Sequence, residues 1–251
     1  MAPELLPVVA AQEPFLLGEI AQERRRDVVT SGRTSLYFDL LDGFKQPGCG
    51  ICRYSLRAVE RFFDSLTYEN TNDPGIRDGV RAARGFCNRH TLQYLGFGDE
   101  LGSALIYRDL LHTVLPAINE ARSSGVTAFA GALTDPDGQR GADHALKALT
   151  PTELCLACQR LQQSEEHYLA TFLQHLGNQE FAAAFEQSSG LCTVHANLAL
   201  QRSRGGRRDL LRRVQQRCWS ALLQGLQSEQ AEASALQSTL AVAVGGKGLR
   251  P

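Results

Sequence analysis

A short constellation of metal-binding side chains occurs twice, and it restricts the fold more than any other feature of the chain. The first copy is Cys49-Gly-Ile-Cys52, then 34 residues, then Cys87-Asn-Arg-His90. The second is Cys155-Leu-Ala-Cys158, then 33 residues, then Cys192-Thr-Val-His195. Gly85-Phe86 and Gly190-Leu191 stand before the later cysteine in each case. Six of the seven cysteines and two of the six histidines fall into this pattern, which chance spacing would hardly produce. A CxxC turn aims two thiolates at one centre, and a distant CxxH supplies the other two corners of a tetrahedron. Three thiolates and one imidazole make the closed, four-coordinate site that structural zinc occupies.

The pattern therefore predicts two zinc ions per chain. An iron–sulfur cluster is the alternative, because three cysteines and one histidine can also hold one. A redox dithiol would follow a strand in a βαβ unit, and no strand pattern is present. Nearly equal loops favour a site within each half, Cys49, Cys52, Cys87 and His90 in one, Cys155, Cys158, Cys192 and His195 in the other. Ligands exchanged between the halves are the other arrangement that the pattern allows.

A chain of 251 residues can bury a sizeable core in one large domain or two small ones. Its net charge of −1 gives no global pull toward nucleic acid or a membrane surface. The N-terminal stretch lacks a basic n-region and is interrupted by Glu4 and Pro7, so it is a poor signal peptide. No window approaches the ~18 apolar residues of a membrane span. A cytoplasmic location is expected, where thiols stay reduced and metal ligation outranks disulfides.

Periodicity predicts an all-α chain. Residues 1–33 form an N-terminal extension with a helix at about Glu13 to Val29. Residues 34–122 form the first metal-binding repeat. It holds a helix over 34–44, the stripe Leu56, Val59, Phe62, Phe63 and Leu66, a helix over 74–84 and a long helix from Asp99 to about Ala121. Pro116 should kink the last of these. Residues 123–150, rich in Gly, Ser, Asp and Pro, read as a flexible linker. Residues 151–229 form the second repeat, with helices over 156–176, 180–187 and 207–227, and residues 230–251 form a disordered tail. Aligning Cys52 with Cys158 and Cys87 with Cys192 also matches Phe62 with Tyr168, Leu66 with Phe172 and Leu105 with Leu210, so the chain reads as two tandem copies of one helical module, each stapled by a Cys3His site.

The stretches Cys49-Gly-Ile-Cys52, Asn72-Asp73-Pro74, Gly85-Phe-Cys-Asn-Arg-His90, Leu101-Gly102 and Tyr107-Arg-Asp-Leu-Leu111 together resemble an uncharacterised bacterial family of unknown function. Its members carry a CPxC…NDP…GFCxxH…LG…Y-D-LL pattern on a helical chain. Gly50 stands where that family usually has Pro. The resemblance covers about residues 36–115 and implies metal binding and a helical fold. It brings no activity with it.

The remaining candidates are plainer. Cys218 shares an apolar stripe with Leu211, Val214 and Leu222 and reads as a small buried hydrophobe. His167 and His175 lie eight apart on one helix and read as packed or solvated; His112 and His144 have no partner in view. Asp73 should cap the helix that follows and pair with Arg77 at i, i+4. Residues 202–217 carry seven arginines against Asp209, and Arg208, Arg212 and Arg213 are the candidates for docking nucleic acid or another polyanion, with neighbouring acids such as Glu165 and Glu166 as the balancing charge. No nucleophilic triad, P-loop or dinucleotide fingerprint is present, and four protein ligands per metal leave no room for substrate. The expected function is non-enzymatic: a zinc-bound helical module with a protein partner. The alternative is an iron–sulfur or thiol-based redox protein.

Overall fold

The computed structural model describes residues 33–120 and 146–227, and every regular element among them is helical. Helix α1 is Ser35–Phe44, and α2 is Gly50–Ser65, prolonged by a π-helical turn at Leu66–Asn70. Then come α3 (Pro74–Ala82), α4 (Asn88–Leu95) and α5 (Glu100–Glu120), which continues past Pro116. Beyond the undescribed segment lie α6 (Leu156–His175), α7 (Gln179–Glu186), α8 (Thr193–Arg202) and α9 (Gly206–Gln227). The expected helices over 34–44, 74–84, 156–176, 180–187 and 207–227 appear within two residues of their predicted ends. Helix α8, short and rich in alanine and leucine, has too weak a stripe for periodicity to announce it. The expected helix at Glu13–Val29, residues 121–145 of the linker and the tail after Gln230 lie outside the described residues.

Helices α2 and α6 form the central and most extensively packed pair. The ring of Tyr54 lies 5.5 Å from that of Tyr168, and the Arg160 guanidinium stands 5.9 Å from the centre of the Phe62 ring. Moving eight residues up α2 therefore means moving eight down α6, so the two run antiparallel. Their N-termini, which carry the two CxxC pairs, lie at opposite ends of the bundle. With 16 residues, α2 separates those ends by about 24 Å.

Each end has its own aromatic cluster. At one, Phe63 of α2 packs on Phe86, Tyr94 and Phe97, with ring centres 5.3 to 5.9 Å apart, and on His90 at 6.2 Å. At the other, Phe172 of α6 meets Phe185 and Phe181 together with Phe44 from α1. Tyr37, also on α1, packs on Phe181 and edge-on to His175 at 4.8 Å. Two more bonds tie α1 to the second half: Tyr168 Oη donates to Asp39 at 2.6 Å, and Arg33 pairs with Glu180 at 2.8 Å. The buried side chains from Tyr37 to Cys218 form one continuous core. Cys218 is buried in it beside Leu211 and Val214, as its position on the stripe predicts.

Local signals hold the connections. Asp73 Oδ1 accepts the Ile76 amide at 2.8 Å with Pro74 at the first helical position, and Asn178 does the same for Phe181 at 3.2 Å. Arg77 does not pair with Asp73 as expected. The Asp73 carboxylate is spent on its cap, and Arg77 instead reaches across to α5, placing Nε 3.4 Å from Asp109 and donating to the Leu105 carbonyl. The end of the segment read as a flexible linker is ordered: residues 146–149 form a helical turn, Arg84 Nε donates to the Ala148 carbonyl, and the Thr152 amide donates to the Ala82 carbonyl at 2.9 Å. Among the described residues no helix is long and apolar enough to cross a membrane.

Candidate metal centre

All four ligand motifs occupy the same local position, the start of a helix. Cys49, Cys87, Cys155 and Cys192 are the N-caps of α2, α4, α6 and α8, and Cys52, His90, Cys158 and His195 stand three residues on, in the first turn. The N-cap and third helical residues point to one side of the helix end, which is why the spacing is two intervening residues. Unbonded backbone amides and the positive end of the helix dipole favour thiolate there. Gly85 and Gly190 make the approach to the CxxH motifs. Both have positive φ, +96° and +75°, which turns the chain sharply before the cysteine. At Gly190 there is also no space, because a Cβ would come within 3.0 Å of Gln215 Oε1.

The structure gathers the eight ligands into two clusters, but not by halves. Cys49 and Cys52 meet Cys192 and His195; Cys155 and Cys158 meet Cys87 and His90. The expectation of one complete site within each half is therefore overturned, and the exchanged arrangement is the one found. The cause is the rigid length of α2. His90 lies beside Phe63 at its far end, so the first CxxC and the CxxH of its own half are held at opposite ends of the bundle. Because α6 runs antiparallel, its CxxC arrives where His90 is, and the same holds in reverse for His195.

In the first cluster His195 Nδ1 lies 3.5, 3.3 and 3.3 Å from the sulfurs of Cys49, Cys52 and Cys192, and Cys52 Sγ is 3.5 Å from Cys192 Sγ. In the second, His90 Nδ1 lies 3.2, 3.6 and 3.3 Å from Cys87, Cys155 and Cys158, with 3.8 Å between Cys87 and Cys158. Bonds of ~2.3 Å to sulfur and ~2.0 Å to nitrogen in a tetrahedron place donors about 3.5–3.8 Å apart. Both sets fit one four-coordinate ion.

Burial opposes ionisation of Cys49, yet hydrogen bonds from Cys192, Cys52 and His195 outweigh it and hold this thiol well below its usual range. Sharing hydrogens with Cys192 and Cys49, together with burial, pushes Cys52 up. Burial alone would lower His195, but its contacts with Cys192, Cys49 and Glu165 push it up to about 12. In the second cluster, burial and the charges of Cys155 and Cys87 push Cys158 up to about 12, while burial and Arg89 lower His90 and favour the neutral imidazole that ligates metal.

Two supporting residues escape a motif search. Glu165 of α6 places Oε1 3.4 Å from His195 Nε2, which makes no hydrogen bond, so the carboxylate stands where it can orient a ligating imidazole. Gln215 of α9 is buried and clamps the Leu191 backbone from both sides, accepting its amide at 3.0 Å and donating to its carbonyl at 2.7 Å. The available signal was an amide or acid on an otherwise inward-facing stripe, which needs a partner to be buried. His167 and His112 are exposed and His175 packs on Tyr37, so none joins a cluster; His144 lies outside the described residues.

The arginine run has varied uses. Arg217 donates to the Glu186 and Ser188 carbonyls at the end of α7, Arg207 to the Leu173 carbonyl, and Arg208 to Ser203 at 3.0 Å. These bonds satisfy carbonyls at helix C-termini. Arg202 pairs with Glu166 at 2.6 Å and Arg213 lies 3.9 Å from Glu186, whereas Glu165 is turned inward to His195. Arg212 is exposed and borders a groove with Leu200, Trp219 and Leu223.

No solved structure matches the chain. It is 26% identical over 183 residues, 68% of its length, to 76% of an uncharacterized 23.9 kDa protein in the xynA 3'region of Caldicellulosiruptor sp. (strain Rt8B.4). Residues 36–229 match the model of the Family of unknown function (DUF6062), a span that takes in both clusters, and the chain belongs to that family.

Proposed function

We infer that the chain is a non-enzymatic scaffold in which two zinc ions weld the two halves together and fix a helical surface for a partner. The observation that carries this reading is the exchange itself: each cluster takes one helix N-terminus from either side of the undescribed segment. An ion in such a site is a cross-link as well as a ligand. Four protein donors around it leave no open position for substrate. Zinc is favoured over an iron–sulfur cluster because all donors of a set lie within 4.8 Å of one another. A cluster would place irons and sulfides between its ligands and spread them. Ligands that must stay reduced fit a cytoplasmic location.

Elemental analysis of anaerobically purified protein should give two zinc per chain and no visible absorption. Chelation should then abolish cooperative melting and much of the helicity, since structural zinc in finger peptides supplies about 10–16 kcal/mol of folding energy. Iron with a visible band, or a metal-free protein that melts unchanged, would sink the reading.

The proposed partner surface is the outer face of α9, where an anionic protein segment or nucleic acid would meet arginine beside exposed Trp219 and Leu223. What supports it is the groove of about 410 Å³ that Arg212 shares with them. Binding to a polyanion such as heparin should fall steeply with salt and weaken in an Arg208/Arg212/Arg213→Ala variant of unchanged metal content. Binding that survives the triple change would remove this surface from the proposal.

A further inference from the structure

The two clusters differ in how solvent reaches them. Cys49, Cys52, Cys192 and His195 are all buried. In the other set His90 and Cys155 are buried, but Cys87 is exposed and Cys158 is half-buried. The two accessible sulfurs are also neighbours, 3.8 Å apart on separate helix N-termini. Both outer imidazole nitrogens, His90 Nε2 and His195 Nε2, are buried without a hydrogen-bond partner among the described residues, and that of His195 has the Glu165 carboxylate 3.4 Å away. What sets this cluster apart is that an ion here has two ligands that a small solute can touch.

Resting on the zinc reading, we propose that Cys87 and Cys158 form an oxidation site, at which a peroxide converts the pair to a disulfide and releases the ion of this cluster while the buried cluster keeps its own. The Cys87 thiolate attacks one oxygen of hydrogen peroxide. The O–O bond breaks, leaving a sulfenic acid on Cys87 and a hydroxide. The Cys158 thiolate then attacks Cys87 Sγ; the S–S bond forms as the S–O bond breaks, and a second hydroxide departs. Two thiolates have given up two electrons, and the two hydroxides take two protons from solvent to become water. Cys155 and His90 alone remain on the ion, too few to retain it. The disulfide stands on a reversible rung of cysteine oxidation, so a thiol reductant and fresh zinc restore the site.

The test uses the full chain carrying two equivalents of zinc. Hydrogen peroxide is added, released metal is followed with a chromogenic chelator, and the products are mapped by differential alkylation and peptide mass. One equivalent should leave in a fast phase, about tenfold or more ahead of the second, as accessibility of the thiolates dictates. The mapped link should join the Cys87 and Cys158 peptides, and dithiothreitol with zinc should reverse it. A preparation that never holds two equivalents of zinc fails the zinc reading itself. A two-zinc preparation that loses both ions in one phase, or whose first link joins Cys155 to Cys158 or involves Cys49, Cys52 or Cys192, overturns this proposal and leaves that reading standing. Mapping the native sequence avoids dependence on a Cys87 variant that fails to load metal.

Discussion

The two Cys3His clusters are built from the same parts and finished differently. Each joins the N-termini of two helices, and each has a glycine of positive φ two residues before its CxxH. Around His195, however, stand Glu165 and, behind Cys192, the Gln215 clamp on Leu191. Around His90 the corresponding support is lighter: Thr91 Oγ1 donates to the Phe86 carbonyl at 3.1 Å and shares a 2.8 Å bond with the Tyr107 hydroxyl. In the alignment that matches Cys52 with Cys158, the residue facing Glu165 is Val59, which is buried and accepts no hydrogen bond. The position on α2 that aligns with Glu165 therefore offers no carboxylate. Identical ligands do not make equivalent sites; the residues behind them set orientation and access.

The largest effects should come from removing ligands in pairs. Cys49→Ser with Cys192→Ser strikes one cluster and should leave one ion per chain. Cys49→Ser with Cys87→Ser strikes both and should leave none. The two outcomes exchange if each half holds its own ion, so metal content of these double variants decides how the ligands are shared. A smaller effect is expected from Glu165→Gln. It should lower zinc affinity about 10- to 100-fold at the buried cluster alone. Competition with a chelator of known affinity would then show the two sites drawing together, or crossing over; an unchanged binding curve would mean that Glu165 does not orient His195. The smallest concerns the caps at equivalent places, Asp73 and Asn178. Each change to Ala should cost about 1 kcal/mol in denaturant midpoint without altering metal content. If Asp73→Ala releases metal while Asn178→Ala does not, α3 contributes to holding its centre in a way that α7 does not.

Much of this was legible from residue order. The eight clustered cysteines and histidines, most of the helices, the Asp73 cap and the buried Cys218 follow from local spacing, because a helix end or an apolar stripe is specified within a turn or two. The partnership of the ligands is not local. Loops of 34 and 33 residues say that both halves are alike, and they would be alike whether ligands stay or exchange. What decides is the antiparallel packing of α2 on α6, a relation between residues more than a hundred positions apart, such as Tyr54 and Tyr168. Glu165 was hidden for a related reason. Beside Glu166 it reads as one of two surface acids, and only the depth of its face in the bundle turns it toward His195 while Glu166 reaches Arg202.

Exchange of the ligands also gives the chain a history. Cys49 and His195 lie 146 residues apart, so at ~5–20 residues per second a ribosome takes roughly 7–30 s to deliver the last donor after the first. Once residue 90 has been added, Cys49, Cys52, Cys87 and His90 are all present, yet the folded structure does not use them as a set. Capture of one ion by these four would be a misassembly, to be undone when the second half arrives. A chain broken between the halves would carry two donors where each site needs four. Two bound zinc ions, rather than one, would then certify that synthesis ran to residue 195 and that both halves found each other.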